Sequence, residues 1–223
     1  MDFTLTTHSL LKGERVFETM KSFIPDINIE DMSISFAAVT TDMLHEKEVV
    51  FTKGSFYEAA RASVAIPAVF TPAKTNNSIL VDGGVVNPIP LNRVKRIEND
   101  MLVPSYVNAN IPYNKPVINN KKEEIENSLY KQKIKEFKKK LNEILPKNSK
   151  EKLNYFSLLL TKSTSLLTHG LSIMNIEKYK PDILINISHN FAGTFDFFKA
   201  EKLVETERLV ARNSINNYKT KLL

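Results

Sequence analysis

The sequence of 223 residues contains no cysteine and no tryptophan, and it has six glycines. The absence of cysteine excludes disulfides and thiolate metal sites, and it favours a reducing compartment. No run of about 18 apolar residues is present, so a membrane-spanning helix is not expected. The first residues also lack the apolar run of a signal peptide. We therefore predict a cytoplasmic protein, with peripheral attachment to a membrane surface as an open alternative.

The four histidines do not indicate a metal site. His8, His45, His169 and His189 have no cysteine or acidic companions at the intervals that metal ligands require. His45 is predicted to lie on an exposed loop. His189 follows a predicted strand end, where a catalytic base could be placed. We predict that the protein uses neither a metal nor an organic cofactor.

The positive charge is concentrated in one region. The net charge is +6, and the segment Lys121–Lys152 alone contains eleven lysines and six glutamates, an excess of five. Lysine outnumbers arginine there and no aromatic ladder accompanies it, so a nucleic-acid partner is not predicted. Two interpretations stay open for this segment: a solvated helix face, or attraction to an anionic lipid surface.

The pattern of apolar residues predicts a mixed α/β fold. Helices are expected over residues 9–24, 56–65, 91–97, 121–145, 152–179 and 198–218, and strands over 34–39, 48–52, 79–81, 101–107 and 181–188. Residues 67–78 contain two prolines and are expected to form an irregular crossing. Residues 108–120 are rich in Asn and Pro and are the predicted linker between a region 1–107 and a region 121–223. The two long helices before the last strand would form a cap beside the sheet.

The densest group of signals lies at residues 59–90. A short buried strand delivers Asp82 to its carboxyl end, and Gly83 and Gly84 let the backbone turn tightly beside the carboxylate. Open α/β sheets bind ligands and carry catalysis at the carboxyl ends of their strands. Asp82 is therefore the candidate catalytic carboxylate. The alternative is an Asx turn, in which the carboxylate caps neighbouring backbone N–H groups.

This region resembles the later part of a patatin-like phospholipase domain. The resemblance rests on four groups of residues: Arg61-Ala62-Ser63, Ile66-Pro67, Phe70-x-Pro72 and Asp82-Gly83-Gly84-Val85-x-Asn87-x-x-Pro90. It covers residues 1–100 well and the remainder more loosely. It implies an incomplete three-layer α/β/α sheet with a helical C-terminal cap. It also implies a lipid acyl hydrolase, a phospholipase or esterase, in which Asp82 is the proton acceptor for a nucleophilic serine.

The serine half of this Ser-Asp dyad is missing from the sequence. Patatin-like hydrolases carry the nucleophile in a Gly-x-Ser-x-Gly elbow after a Gly-rich oxyanion loop, and no two glycines here are four positions apart. We therefore expect a C-terminal portion of a longer protein, with residues 1–107 ending the catalytic domain and no activity alone. Ser63 has Ala62 and Val64 as neighbours, so we expect it to be structural and to hydrogen-bond its own helix.

Two functions stay open at this level. The first is lipid ester hydrolysis, with a lipid or ester substrate, completed by a complementing N-terminal chain or by self-association. The second is a non-catalytic remnant that binds a lipid surface or a protein through the Lys-rich amphipathic helix 121–145. Asp42 is expected to cap a turn. Asn87 and Pro90 are expected to end the Asp82 corner and to start the next helix.

Overall fold

The computed structural model describes residues 3–6, 9–11, 14–67, 69–112, 150–192 and 200–222. These residues divide into two compact units, one within Met1–Lys95 and Lys147–Asn175 and one within Arg96–Pro146 and Ile176–Leu223. The predicted linker 108–120 lies partly outside the described residues, and the predicted helix 121–145 lies wholly outside them. The division into regions 1–107 and 121–223 therefore stays a prediction.

Helices and strands both occur in the described chain, which confirms the predicted α/β class. In chain order the elements are β1 (Phe3–Thr6), β2 (Ser9–Leu11), α1 (Glu14–Phe23), β3 (Ala38–Asp42), β4 (Lys47–Phe51), α2 (Phe56–Ser63), β5 (Ala73–Thr75), β6 (Ser78–Asp82), β7 (Ser105–Ala109), α3 (Lys150–Tyr179), β8 (Ile185–Ser188) and α4 (Ala200–Leu222). Short 3-10 turns occur at Ile29–Asp31, Gly83–Val85 and Leu91–Arg93. Within the described ranges, no helix combines the length and apolar character needed to cross a bilayer.

Strands β3 to β6 form one four-stranded sheet in the order β4-β3-β6-β5. Every pairing in it is antiparallel, and Thr40 of β3 lies opposite Asp82 of β6. Asp82 therefore ends an antiparallel strand, whereas the strand-end argument from the sequence rests on the parallel sheets of open α/β folds. Thr40 is fully buried, and its side-chain hydroxyl is satisfied there by a hydrogen bond that it donates to the carbonyl of Val49 on β4.

Several predicted boundaries were wrong for identifiable reasons. The predicted helix 9–24 begins at Glu14, because Ser9–Leu11 instead pairs with β1. The apolar run 34–39 places its strand four residues too early, since pairing with β4 runs from Ala38 to Asp42. The expected crossing at 67–78 contains the short edge strand β5, which pairs with β6. The predicted helix 91–97 is the single 3-10 turn Leu91–Arg93.

Helix α2 carries the packing that fixes the site. Its N-terminus is capped by Ser55, whose hydroxyl accepts a hydrogen bond from the Glu58 N–H at 3.2 Å, an arrangement typical of a helix start. Ala59 and Ala62 are buried against the sheet, and Ala65 just beyond the helix is buried as well. Small side chains let the helix lie close to β3 and β6.

The second unit is organised around a parallel pair of strands, β7 and β8. The carboxylate of Asp182 accepts a hydrogen bond from the Leu102 N–H at 2.7 Å, which joins the chain before β8 to the chain before β7. Helix α4 packs on β8. The predicted strand 101–107 lies at Ser105–Ala109, and the predicted strand 181–188 is shortened to Ile185–Ser188.

Candidate active site

Asp82 lies at the end of β6, where the chain enters the 3-10 turn Gly83–Val85. Its backbone is held from two sides: its N–H donates to the carbonyl of Ala65 at 3.0 Å, and its carbonyl accepts from the hydroxyl of Thr41 at 3.1 Å. The strand pairing with β3 adds a third restraint. The position of this aspartate is therefore set by the sheet and by the residue that follows α2.

The two oxygens of the Asp82 carboxylate have different surroundings. Oδ1 accepts a hydrogen bond of 2.6 Å from the Gly84 N–H, which is the turn cap considered as the alternative to catalysis. Among the described residues no hydrogen bond reaches Oδ2. Burial raises the pKa of Asp82, and the bond from Gly84 only partly offsets this effect. Turn capping by one oxygen therefore leaves the other oxygen available for proton transfer.

An open cavity of about 430 Å³ lies beside this carboxylate. Its walls are mainly apolar, with Phe36, Val39 and Pro90 among the lining residues, and Asp82 contributes to it together with Ser63. Pockets of this volume suit small-molecule ligands. An apolar cavity with one carboxylate in its wall is suited to a substrate with a hydrocarbon part.

The two glycines after Asp82 are required for different reasons. A Cβ on Gly83 would lie 2.3 Å from the carbonyl oxygen of Val39, which is a backbone atom of β3. A Cβ on Gly84 would lie 2.9 Å from Oδ1 of Asp82 itself. Gly83 thus permits close contact between the corner and the sheet, and Gly84 permits the short bond that orients the carboxylate.

Ser63 lines the same cavity as Asp82 but has another hydrogen-bond partner. Its hydroxyl donates to the carbonyl of Val39 at 2.8 Å. The expectation that it bonds its own helix was wrong, because α2 packs so close to β3 that a strand carbonyl is within reach. Among the hydrogen bonds of the described residues, none joins Ser63 to Asp82. The geometry is that of a structural serine that ties α2 to β3.

The sequence reasoning missed a hydrogen-bonded group at the other end of β6. Asp42 is buried, and its carboxylate accepts from Ser78 at 2.8 Å and contacts Nδ1 of His45 at 2.6 Å. It also caps the turn through the Leu44 N–H at 3.1 Å, which confirms the predicted role of Asp42. Burial by itself would raise the pKa of Asp42, but these hydrogen bonds outweigh it and hold the pKa well below its ordinary value.

His45 was predicted to be a loop residue at the surface, and its side chain is 39% exposed. The spacing Asp42-x-x-His45 within one turn was the available signal for its contact with the carboxylate. Ser78, the third residue of this hydrogen-bonded group, is 36 residues away from Asp42 in sequence. Its contact with Asp42 becomes apparent only from the antiparallel pairing of β3 and β6.

Asn87 has a larger role than ending the corner. Its side-chain amide donates to Glu48 at 3.0 Å and to Asn92 at 2.9 Å, and its side-chain oxygen accepts from Asn175 of α3 at 3.0 Å. Its backbone N–H donates to the carbonyl of Gly83 at 2.9 Å. Asn87 thus ties the Asp82 corner to β4 and to α3. Pro90 precedes the 3-10 turn Leu91–Arg93, as predicted.

His189 lies in the second unit, directly after β8. Its backbone N–H donates to the carbonyl of Ala109 at 3.0 Å, and its ring nitrogen Nδ1 lies 3.3 Å from the same oxygen. These contacts give the imidazole a structural role at the end of β7. His8 lies outside the described residues.

The segment that contains the Asp82 corner is similar in sequence to known proteins. The family model of the patatin-like phospholipases matches residues 1–94, which include β3 to β6 and the Asp82 turn. Residues 1–94 are therefore similar to a patatin-like phospholipase domain. An uncharacterised NTE family protein of Mycobacterium tuberculosis is 29% identical over 109 residues, which are 49% of this chain and 30% of that protein.

Two further relatives match a similar length of this chain. A second uncharacterised NTE family protein of Mycobacterium tuberculosis is 33% identical over 91 residues, 41% of this chain and 16% of that protein. The neuropathy target esterase of Drosophila persimilis is 29% identical over 92 residues, 40% of this chain and 6% of that protein. The matched region thus spans less than a third of each of these three relatives. The matching family is one of phospholipase-like proteins, and the Drosophila relative is an esterase by name.

Proposed function

We propose that this chain contributes the aspartate of a Ser-Asp lipid acyl hydrolase. The supporting observation is Asp82 itself: a carboxylate fixed at a strand end, with one oxygen oriented by Gly84 and the other open beside an apolar cavity. The patatin-like segment supports the same role, because Asp82 stands in the Asp-Gly-Gly motif of the family. The nucleophilic serine and the oxyanion donors would come from polypeptide outside these 223 residues.

The proposed reaction needs no metal or organic cofactor. Asp82 accepts the proton of the serine hydroxyl while the serine oxygen forms a bond to the ester carbonyl carbon. Backbone N–H groups of the Gly-rich loop stabilise the resulting oxyanion. The carboxylic acid then returns the proton to the leaving alkoxide, and the C–O ester bond breaks. A water molecule repeats the sequence on the acyl-enzyme and releases the fatty acid.

The raised pKa of Asp82 suits this role. A general base is more effective when its pKa lies closer to the working pH, provided that it is still ionised there. Burial moves the pKa of Asp82 in that direction. We expect activity to rise with pH as Asp82 ionises, at a higher pH than for an exposed aspartate.

The test is hydrolysis of p-nitrophenyl butyrate by two proteins: the 223-residue chain alone, and the same chain extended by the coding sequence upstream of Met1. We expect turnover by the extended protein and none by the chain alone. Asp82→Asn in the extended protein should lower kcat by about 100- to 10,000-fold, the usual range for loss of a general base. The melting temperature of each variant checks that the fold is intact.

Ser63→Ala is the matched control, because Ser63 lines the same cavity but donates to a backbone carbonyl. It should keep its turnover. Turnover that survives Asp82→Asn unchanged would overturn the assignment of the base. Turnover by the chain alone that disappears in Ser63→Ala would overturn the proposal that the nucleophile lies outside the chain.

A further inference from the structure

A second cavity, of about 450 Å³, lies next to the cavity beside Asp82. The two spaces are direct neighbours, because four residues line both of them: Phe36, Ala37, Val39 and Pro90. We call these four residues the shared wall. All of them belong to the first unit, which also contains Asp82. The shared wall therefore decides whether a ligand that lies beside Asp82 extends into the second cavity.

Three of the four residues of the shared wall have little freedom to move. Val39 belongs to β3, is 7% exposed, and accepts the hydroxyl of Ser63 at its carbonyl. Ala37 has a single methyl group. Pro90 has a ring that is closed on its own backbone, directly before the 3-10 turn Leu91–Arg93. None of these three side chains is long enough to open or close a passage by rotation.

Phe36 differs from the other three in size and in exposure. It lies in the irregular segment between the 3-10 turn Ile29–Asp31 and β3, and it is 37% exposed. Its ring meets the ring of Phe56 edge to face, with the centroids 5.4 Å apart. Phe56 is fixed as the first residue of α2 and packs against the buried core. A large ring held against a fixed partner is suited to divide the two spaces.

The cavity beside Asp82 suits a hydrocarbon chain. Beyond the shared wall, its lining includes the apolar side chains of Phe56, Ala60 and Val64. Small-molecule sites commonly combine apolar walls with a few polar groups that fix the orientation of the ligand. An ester group placed at the Asp82 carboxylate would leave its acyl chain to follow these apolar walls.

The second cavity has a mixed lining. It includes the buried apolar side chain of Ile29. The charged residues that line it are Glu30, Arg93 and Lys95. Two of these charges are engaged with the protein itself: Glu30 accepts a hydrogen bond of 2.7 Å from the Gly54 N–H, and Arg93 pairs with Glu48 at 2.6 Å. Apolar surface is therefore available to a hydrocarbon chain that passes the shared wall.

We propose, on the basis of the hydrolase function proposed above, that Phe36 sets the length of the acyl chain that this site accepts. Its ring closes the cavity beside Asp82 on the side of the second cavity. Shorter chains are enclosed beside Asp82, whereas the last methylene groups of longer chains stay in water. Removal of the ring joins the two cavities, so that a longer chain reaches Ile29. Phe36 is thus a specificity-determining residue that does not touch the reacting atoms.

The test is the binding of methyl ketones, from hexanone to tetradecanone, to the full chain, measured by isothermal titration calorimetry. These ketones are neutral analogues of an ester and cannot be hydrolysed. We expect each added methylene group to strengthen binding by about fourfold while it is enclosed. Beyond a certain chain length the affinity should stay constant, and we call this length the break. In Phe36→Ala the break should lie at a longer chain, and the longest ketone should bind at least about tenfold more tightly than to the parent.

Three further variants separate the ring from its surroundings. Phe36→Tyr keeps the ring and should keep the break. Phe36→Leu should move the break by less than Phe36→Ala does, and it also serves if the alanine variant does not fold. Met32→Ala enlarges the second cavity alone and should bind every ketone as the parent does, because Met32 does not line the cavity beside Asp82. Circular dichroism and the melting temperature check the fold of each variant.

Three outcomes would overturn the proposal. The first is the absence of ketone binding by the parent chain. The second is a break at the same chain length in the parent, Phe36→Leu and Phe36→Ala. The third is a loss of affinity by the same factor for every ketone in Phe36→Ala, because Phe36 would then be an ordinary contact.

Failure of the hydrolase assignment would be recognised separately. Hydrolysis of p-nitrophenyl butyrate by the extended protein tests that assignment, whereas ketone binding needs no turnover. A break that moves in Phe36→Ala, together with an extended protein that has no turnover, would support the role of Phe36 in chain binding and remove the hydrolase function. Turnover that depends on Asp82, together with a break that does not move, would keep the hydrolase function and overturn the role of Phe36.

Discussion

Replacement of Gly83 by alanine is the sharpest test of how the Asp82 corner is built. The added Cβ would lie 2.3 Å from the carbonyl oxygen and 2.6 Å from the carbonyl carbon of Val39. Both are backbone atoms of β3, so they cannot move away by rotation of a side chain. Relief of the contact requires that the corner shift from the sheet, which disturbs the pairing of Thr40 with Asp82.

The expected loss in the free energy of unfolding follows from this geometry. Overpacking of a well-packed interior costs about 1–3 kcal/mol, and a contact with fixed backbone atoms belongs at the upper end. We expect Gly83→Ala to lower the free energy of unfolding by about 3 kcal/mol, which is roughly a 150-fold change in the unfolding equilibrium constant. With a urea m-value of about 2 kcal/mol/M, the midpoint would fall by about 1.5 M.

The assay is reversible urea unfolding followed by far-UV circular dichroism, with Gly170→Ala as the matched control. A Cβ on Gly170, inside α3, would meet nothing within 4 Å, so alanine should raise stability there by about 0.5–1 kcal/mol. Opposite signs for the two Gly→Ala changes are the expected result. A Gly83→Ala protein within about 0.5 kcal/mol of the parent, with the same spectrum, would refute the reasoning.

Two further predictions concern the hydrogen-bonded groups around the sheet. The low pKa of Asp42 means that its ionised form is stabilised by folding, so this stability is fully present above the pKa of the unfolded chain, about 4, and is lost gradually as the pH falls from there through the much lower pKa of the folded chain. Asp42→Asn should therefore lower the melting temperature more at about pH 7 than at about pH 3, with the effect still decreasing at lower pH, and an equal loss at all pH values would contradict this. In a double-mutant cycle, Asn87→Ala and Asn175→Ala should show a coupling free energy of about 0.5–1.5 kcal/mol, whereas strictly additive losses would contradict the hydrogen bond between them.

The strongest local patterns of the sequence were sufficient for part of the fold and of the candidate site. The strand that ends at Asp82, the helix that begins at residue 56 and the α/β class all follow from short-range features: an apolar run, a helical pattern of residues and an Asp-Gly-Gly turn. The patatin-like resemblance was carried by the same residues, because a tight corner beside a carboxylate leaves few alternatives in sequence. These features are local, so they can be recognised without knowledge of the neighbours.

Pairing across the sheet and packing between elements were decided only in three dimensions. The position of β3 depends on β4, the partner of Ser63 is a carbonyl of β3, and the side chain of Asn87 binds Asn175 although the two are 88 residues apart. Likewise, only the tertiary structure shows that Ser172 of α3 is buried whereas Leu166 and Leu167 are exposed. A sequence records which side chains are apolar or charged. Which of them are covered depends on the free energy of distant contacts, and that is settled when the tertiary structure forms.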